Sequence, residues 1–123
     1  RQRQMCKETA VALSYVRSFV KRGRKRNSNV IIASQNPEDF TAPDIISYTK
    51  PIVSTPTHKF LFYPGDINRE EYIKFMGIKD SEYKIFEIPN QGYCLYMCGL
   101  ERYHLHVVAP PFITPLFGTA GGV

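Results

Sequence analysis

Apolar residues recur along this chain with two different periods. Between residues 7 and 22, Ala12, Leu13, Val16, Phe19 and Val20 return at spacings of three and four, which predicts an amphipathic helix. Ser14, Ser18, Lys21 and Arg22 fall elsewhere on that cylinder, and Gly23 offers a left-handed cap to end it. Residues 29–34 then read Asn-Val-Ile-Ile-Ala-Ser. A short β-branched run of this kind predicts a strand buried on both faces, as in the middle of a parallel sheet. A short helical turn follows at residues 36–40, with Pro37 at a permitted first position. Residues 43–54 read as helical, with Pro51 expected to break or offset the helix near Lys50.

Residues 58–63 (His-Lys-Phe-Leu-Phe-Tyr) predict a second strand, stopped by Pro64-Gly65. A strand, helices and a strand in succession form a crossover unit, so the two strands are expected to be parallel. Helices are expected over residues 68–76, capped by Asn68 or Asp66 and ended by Gly77, and over about 80–86, with Asp80 or Ser81 near the start. Residues 92–98 and 102–108 predict two more strands joined through Gly99-Leu100-Glu101, a hairpin. The expected class is α/β: a mixed sheet, parallel in the middle, with an antiparallel edge hairpin and helices on its faces. The tail from Ala109 carries three prolines and closes on glycines, which suggests a loose terminus.

The 123 residues suit a single domain, and nothing in them reads as low complexity. No apolar run approaches the roughly 18 residues of a membrane-spanning helix. The chain starts Arg-Gln-Arg-Gln, without Met and without a signal-like apolar region, so a fragment of something longer is expected. Its net charge of +5 is unevenly placed. Residues 1–26 hold nine Lys/Arg against one Glu, and residues 27–123 hold seven against ten Asp/Glu. A local basic patch points to phosphate or nucleic acid, with a solvated helix end as the plainer alternative. Three cysteines, Cys6, Cys94 and Cys98, fit a reducing compartment better than a disulfide scaffold.

Candidate chemistry concentrates near residues 21–36. No phosphate loop of the form GxxxxGK followed by Ser or Thr is present, and no apolar strand ends in Asp or Glu. Taken alone, the chain lacks the parts that hold a magnesium nucleotide. Ser34-Gln35-Asn36 stands at the carboxyl end of the expected inner strand, where ligands of open α/β sheets bind. A glutamine amide there both donates and accepts, so it can orient a water or sense a terminal phosphate, or it can simply satisfy strand-end backbone groups. Arg22, Arg24, Lys25 and Arg26 can stabilise a phosphoryl group or grip a nucleic-acid backbone. Tyr15 and Phe19 sit at helical spacing and are core candidates before stacking platforms. Cys94 and Cys98, four apart on a strand, lie roughly 13 Å apart, too far to chelate one metal. Cys98 with His104 or His106 offers at most a partial metal site, and packed sheet residues are the simpler reading.

Lys21-Arg22-Gly23-Arg24-Lys25, an apolar strand, and then Ser34-Gln35-Asn36-Pro37-Glu38-Asp39-Phe40 resemble the ATPases of conjugative transfer and type IV secretion. The likeness continues through residues 58–63, through Asn90-Gln91-Gly92-Tyr93-Cys94-Leu95-Tyr96, and through the ending Phe117-Gly118-Thr119-Ala120-Gly121-Gly122. It therefore spans nearly the whole chain from about Ala10. The resemblance implies the C-terminal portion of one RecA-like P-loop ATPase domain, over residues 1–123, with the phosphate loop and metal-binding strand upstream of Arg1. By position, Gln35 matches the residue that reads the γ-phosphate, and Arg24 matches an arginine-finger-type group. Lys25, Arg22, Ser34, Asn36 and Gly92 fall in supporting nucleotide-binding positions. The lack of a side chain at Gly92 would let backbone approach the nucleotide site closely.

ATP and Mg2+ are implied for the full-length protein, with no turnover by the fragment alone. Implied partners are further subunits of a hexamer, secretion-channel and coupling proteins, and DNA. The implied location is cytoplasmic, at the inner face of the bacterial membrane. Two other functions remain open on the residues: a coupling-type DNA-translocating ATPase, and a non-catalytic basic module that binds nucleic acid. Asn27-Ser28 where the family often has Gly, Ser34 for the commoner Thr, and Lys50-Pro51 depart from the pattern and leave the subfamily open.

Overall fold

A computed structural model describes residues 2–35 and 37–117, with backbone only at residues 2–9, Arg24, Glu38, Asp39, Thr114 and Phe117. Helix α1 (Gln2–Gly23) passes through a 3-10 turn (Arg24–Arg26) into an extended segment. Helices α2 (Glu38–Thr41) and α3 (Ile46–Ser54) follow, then strand β1 (His58–Leu61) and helices α4 (Arg69–Met76) and α5 (Asp80–Tyr83). Strands β2 (Tyr93–Cys98) and β3 (Glu101–His106) form the hairpin, and α6 (Thr114–Phe117) ends the described chain.

Several local rules act as expected. Asn68 caps α4, its side chain accepting from the backbone N–H of Glu70 and Glu71 at 3.0 and 3.2 Å. Gly77 ends that helix at φ 68°, in the left-handed region where a Cβ is costly. At α5 the first residue is preceded by Lys79, whose N–H donates to Glu82 Oε2 at 2.7 Å. Helix α5 stops at Tyr83, and bonded turns carry the chain on to Phe86.

Among the described residues the sheet has three strands in the order β1-β2-β3, and both pairings are antiparallel. Leu61 stands opposite Leu95, His58 opposite Cys98, and Tyr93 opposite His106. Side chains alternate between faces, so Leu61, Leu95 and Met97 share one side. That side carries the core, where Leu61, Leu95 and Met97 cluster with Tyr72 of α4 and with Ile78, Tyr83 and Phe86. The rings of Tyr72, Tyr83 and Phe86 meet edge-on or tilted, with centroids 5.2 to 6.2 Å apart. Over Tyr83 lies Arg69, which also pairs with Asp80 and Glu87. The opposite side carries a row of rings, with Tyr96 stacked on Phe60 at 4.6 Å and on Tyr103 at 5.8 Å.

Two expectations meet a different outcome among the described residues. The parallel pairing of residues 29–34 with residues 58–63 is not formed, and among the described residues 29–34 is extended but belongs to no sheet. Its β-branched run asks for burial on both faces, yet Ile31 is 97% exposed. A strand of that composition is stable only between neighbours, and no described segment flanks it. β1 instead takes its hydrogen bonds from β2. Pro51 does not break its helix either, because α3 runs through it to Ser54. The single N–H that proline lacks costs one bond, while Thr49, fully buried, ties the helix to the chain before it through the Phe40 carbonyl. The apolar stripe of α1 forms as expected but is only partly covered, with Phe19 still 54% exposed beside α3.

Burial of Tyr72 holds its phenol well above the ordinary range, chiefly by desolvation, with Tyr83 adding to the effect. The unfolded phenol ionises near its usual value of about 10, so above that pH the unfolded state binds fewer protons than the folded one. Stability then falls as pH rises, by up to about 1.4 kcal/mol per pH unit for one such group. Urea unfolding between pH 9 and 11 is expected to show a shallower decline in Tyr72→Phe than in the parent chain. Identical slopes would place Tyr72 in contact with water.

Candidate functional site

The basic cluster is organised by the end of α1. Gly23 is buried, and Ser28 N–H donates to its carbonyl at 3.1 Å, while Asn27 takes the left-handed conformation at φ 51°. The chain thus reverses tightly, with Lys21, Arg22, Lys25 and Arg26 exposed on the outside of the turn. Among the described residues no carboxylate pairs with these four. Arg24 lies in the turn by its backbone, and its side chain is outside the described set.

Beyond the extended segment, Ser34 and Gln35 are exposed, and Asn36 lies outside the described residues. Gln35 lines an open cavity of about 300 Å³ together with Pro37, Tyr63, Pro64, Gly65, Asp66 and Ile67. The segment that ends in Gln35 and the strand that ends before residue 63 thus bring their carboxyl ends to one hollow. Among the described side chains, Arg22, Lys25 and Arg26 are not in its lining.

The stretch that shares this cavity with Gln35 was not singled out by sequence. Pro64-Gly65 reads as a strand stop, and only the fold shows residues 63–67 facing Gln35. The loop is held at both ends. Pro64 is buried, Ile67 packs against the core cluster, and Ile67 N–H donates to the Gly65 carbonyl at 3.1 Å. Asn68 follows at once as the cap of α4. This leaves Tyr63 and Asp66 as the loop's exposed polar-tipped side chains.

Gly92 stands elsewhere, at the mouth of the hairpin. Its φ is 79°, and its carbonyl accepts from Val107 N–H at 2.8 Å. The group that stands close to it here is the Val107 carbonyl oxygen, 2.3 Å from where a Cβ would lie. As for the sulfur and imidazole groups, the register puts Cys98 on one face of the sheet and His104 and His106 on the other. That disposes of a shared metal site between Cys98 and either histidine. His106 instead stacks on Tyr93 at 4.0 Å, and burial pushes the Cys94 thiol up, away from the reactive thiolate. Among the described residues no group of three or more His, Cys, Asp or Glu could hold a metal. Likewise, no described helix is long and apolar enough to cross a membrane.

Chemically, the cavity offers a neutral amide on one side and a ring with a carboxylate on the other. Its described lining holds no cation, so phosphate charge placed there must be balanced by groups beyond those residues.

No protein-family model matches the chain, and no curated protein matches it. Among solved structures, VirB4 of Thermoanaerobacter pseudethanolicus is similar, with a TM-score of 0.76 and 31% sequence identity. The match covers 85% of this chain and 28% of the VirB4 chain, so the chain spans little more than a quarter of that protein. At 31% identity and with the same fold over 85% of this chain, the likeness supports a VirB4-like ATPase C-terminal region.

Proposed function

We propose that the chain is the C-terminal portion of a RecA-like ATPase domain that energises type IV secretion and conjugative DNA transfer. Its carrying observation is the meeting of Gln35 with the loop beyond β1 in one hollow, at the carboxyl ends of two strand-forming segments. In this reading residues 29–34 become an inner parallel strand once the rest of the sheet flanks them. The exposure of Val30, Ile31 and Ile32 supports that placement, since such a run is otherwise left in water.

The residues fit one side of an ATP site. Gln35 would position water or sense the γ-phosphate, and Arg24 would neutralise charge on the transferred group, with Lys25 and Arg22 beside it. Ser34 and Asn36 flank the glutamine, and Gly92 supports the late motif. ATP supplies the phosphoryl group, and Mg2+ and the phosphate loop would be held by the rest of the protein. Catalysis of this type is positioning and charge stabilisation. The fragment alone is then inactive. Further subunits in a hexamer, channel and coupling proteins, and a place at the inner face of the membrane complete the reading.

In the whole protein, Gln35→Ala is expected to lower turnover by about 100-fold while ATP affinity stays within about threefold. Arg24→Ala is expected to do at least as much. Normal turnover in the Gln35 variant would remove that residue from the mechanism. A DNA-translocating coupling ATPase would share the same glutamine, and assaying DNA-stimulated turnover separates it. The four exposed cations around the turn favour a second reading, a module that grips nucleic acid. If that holds, the chain alone binds DNA, and affinity falls steeply with salt.

A further inference from the structure

We propose that the 63–67 loop takes the nucleoside end of the bound nucleotide, with the base stacked on Tyr63 and the ribose or base donors directed to Asp66. This rests on the ATPase reading above and adds which end of the ligand meets which wall. The two walls of the Gln35 cavity differ in charge and shape. Gln35 presents an amide, whose N–H groups can donate to phosphate oxygens. The loop presents Tyr63, 42% exposed, a carboxylate, and apolar surface from Pro64 and Ile67, with no Lys or Arg among the described lining residues.

A carboxylate repels phosphate oxygens at short range, so the phosphates cannot lie on the Asp66 side. The same carboxylate accepts hydrogen bonds from neutral donors, which a ribose and an exocyclic amine supply. An exposed aromatic ring beside it is a platform for a base, since every base has a π-face to stack. The platform is also set in advance. Buried Pro64, the Ile67 N–H to Gly65 carbonyl bond, Ile67 packed against the core and the Asn68 cap fix the loop at both ends. Little ordering cost then opposes binding. The volume of about 300 Å³ is at the small end of ligand sites, suited to part of a nucleotide.

The test is equilibrium binding to the whole protein without turnover, using ATP and inorganic tripolyphosphate as separate probes. Tyr63→Ala is expected to weaken ATP about tenfold, the loss of one stacked base, while tripolyphosphate stays within about twofold. Tyr63→Phe keeps the ring and is expected to bind ATP as the parent does. Tyr63→Leu keeps the bulk without the ring and should reproduce the alanine result, which guards against a folding defect. Asp66→Asn should leave tripolyphosphate equal or tighter and ATP a few-fold weaker. Unchanged ATP affinity in both Tyr63→Ala and Tyr63→Leu would overturn the assignment, as would equal losses for the two probes. Failure here with a dead Gln35→Ala enzyme removes only the nucleoside assignment. A parent protein that binds neither probe removes the ATPase reading with it.

Discussion

Gly92→Ala is expected to destabilise the chain by roughly 3–5 kcal/mol, more than replacement of any other described glycine. Two costs act at once. The residue sits at φ 79°, where a side chain strains the backbone by about 1–2 kcal/mol. Its Cβ would also stand 2.3 Å from the Val107 carbonyl oxygen and 3.3 Å from His106 Cδ2. The first of those neighbours is backbone and has no rotamer to yield. Relief requires parting the strands there, which surrenders the Val107 N–H to Gly92 carbonyl bond and the stacking of Tyr93 on His106 beside it.

Gly65 separates the two costs. It has the same φ of 79°, but nothing lies within 4 Å of its added Cβ. Gly65→Ala should therefore show the strain alone, about 1–2 kcal/mol. Urea unfolding of the two variants side by side checks this, and equal midpoints would mean that the hairpin yields freely at Val107. The comparison also bears on function. Lost turnover in a Gly92 variant reports on nucleotide contact only after the hairpin is shown to be intact.

How much of this was legible in the letters depends on where each residue finds its partner. Asn68 and Gly77 act through their own neighbours in sequence, and α4 begins and ends where they say. Gly99 does the same for the hairpin, at φ 59° between β2 and β3. Helix α1 follows from spacing alone. Residues 29–34 behave differently, because their pattern states a need for burial without naming what buries them. The antiparallel bond between β1 and β2 was equally hidden, since strand order is set by which edges meet across the 31 residues between Leu61 and Tyr93. At the site, Gln35 was visible as a polar residue ending an apolar run. Tyr63 and Asp66 were not, because Pro64-Gly65 has a complete local explanation as a strand stop. Only the folding of that loop back toward Gln35 brings them to one cavity.

A second large effect is expected at Phe86, where replacement by Ala should cost about 3–5 kcal/mol. Phe86 is 1% exposed and meets Tyr83 at 5.2 Å and Tyr72 at 6.2 Å, while Leu61, Leu95 and Met97 close the cluster from the sheet. Removing the ring leaves a void between a sheet and two helices that are braced against each other, so collapse is limited. A small domain holds only about 5–15 kcal/mol in total, so the loss takes much of it. Circular dichroism during urea unfolding should show a midpoint moved far down or no cooperative transition. Tyr103→Ala removes a ring of similar size from the opposite face, where it is 44% exposed, and should cost about 1 kcal/mol or less. Ile31→Ser, at 97% exposure, should be nearly silent. That ordering follows if this segment carries one self-sufficient core, built from β1, β2, α4 and α5, while residues 29–34 wait for neighbours. A large loss from Ile31→Ser with a small one from Phe86→Ala would invert it. The centre of stability would then lie on the α1 side, and the cavity wall at residues 63–67 would lose the rigid footing that Ile67 draws from the core.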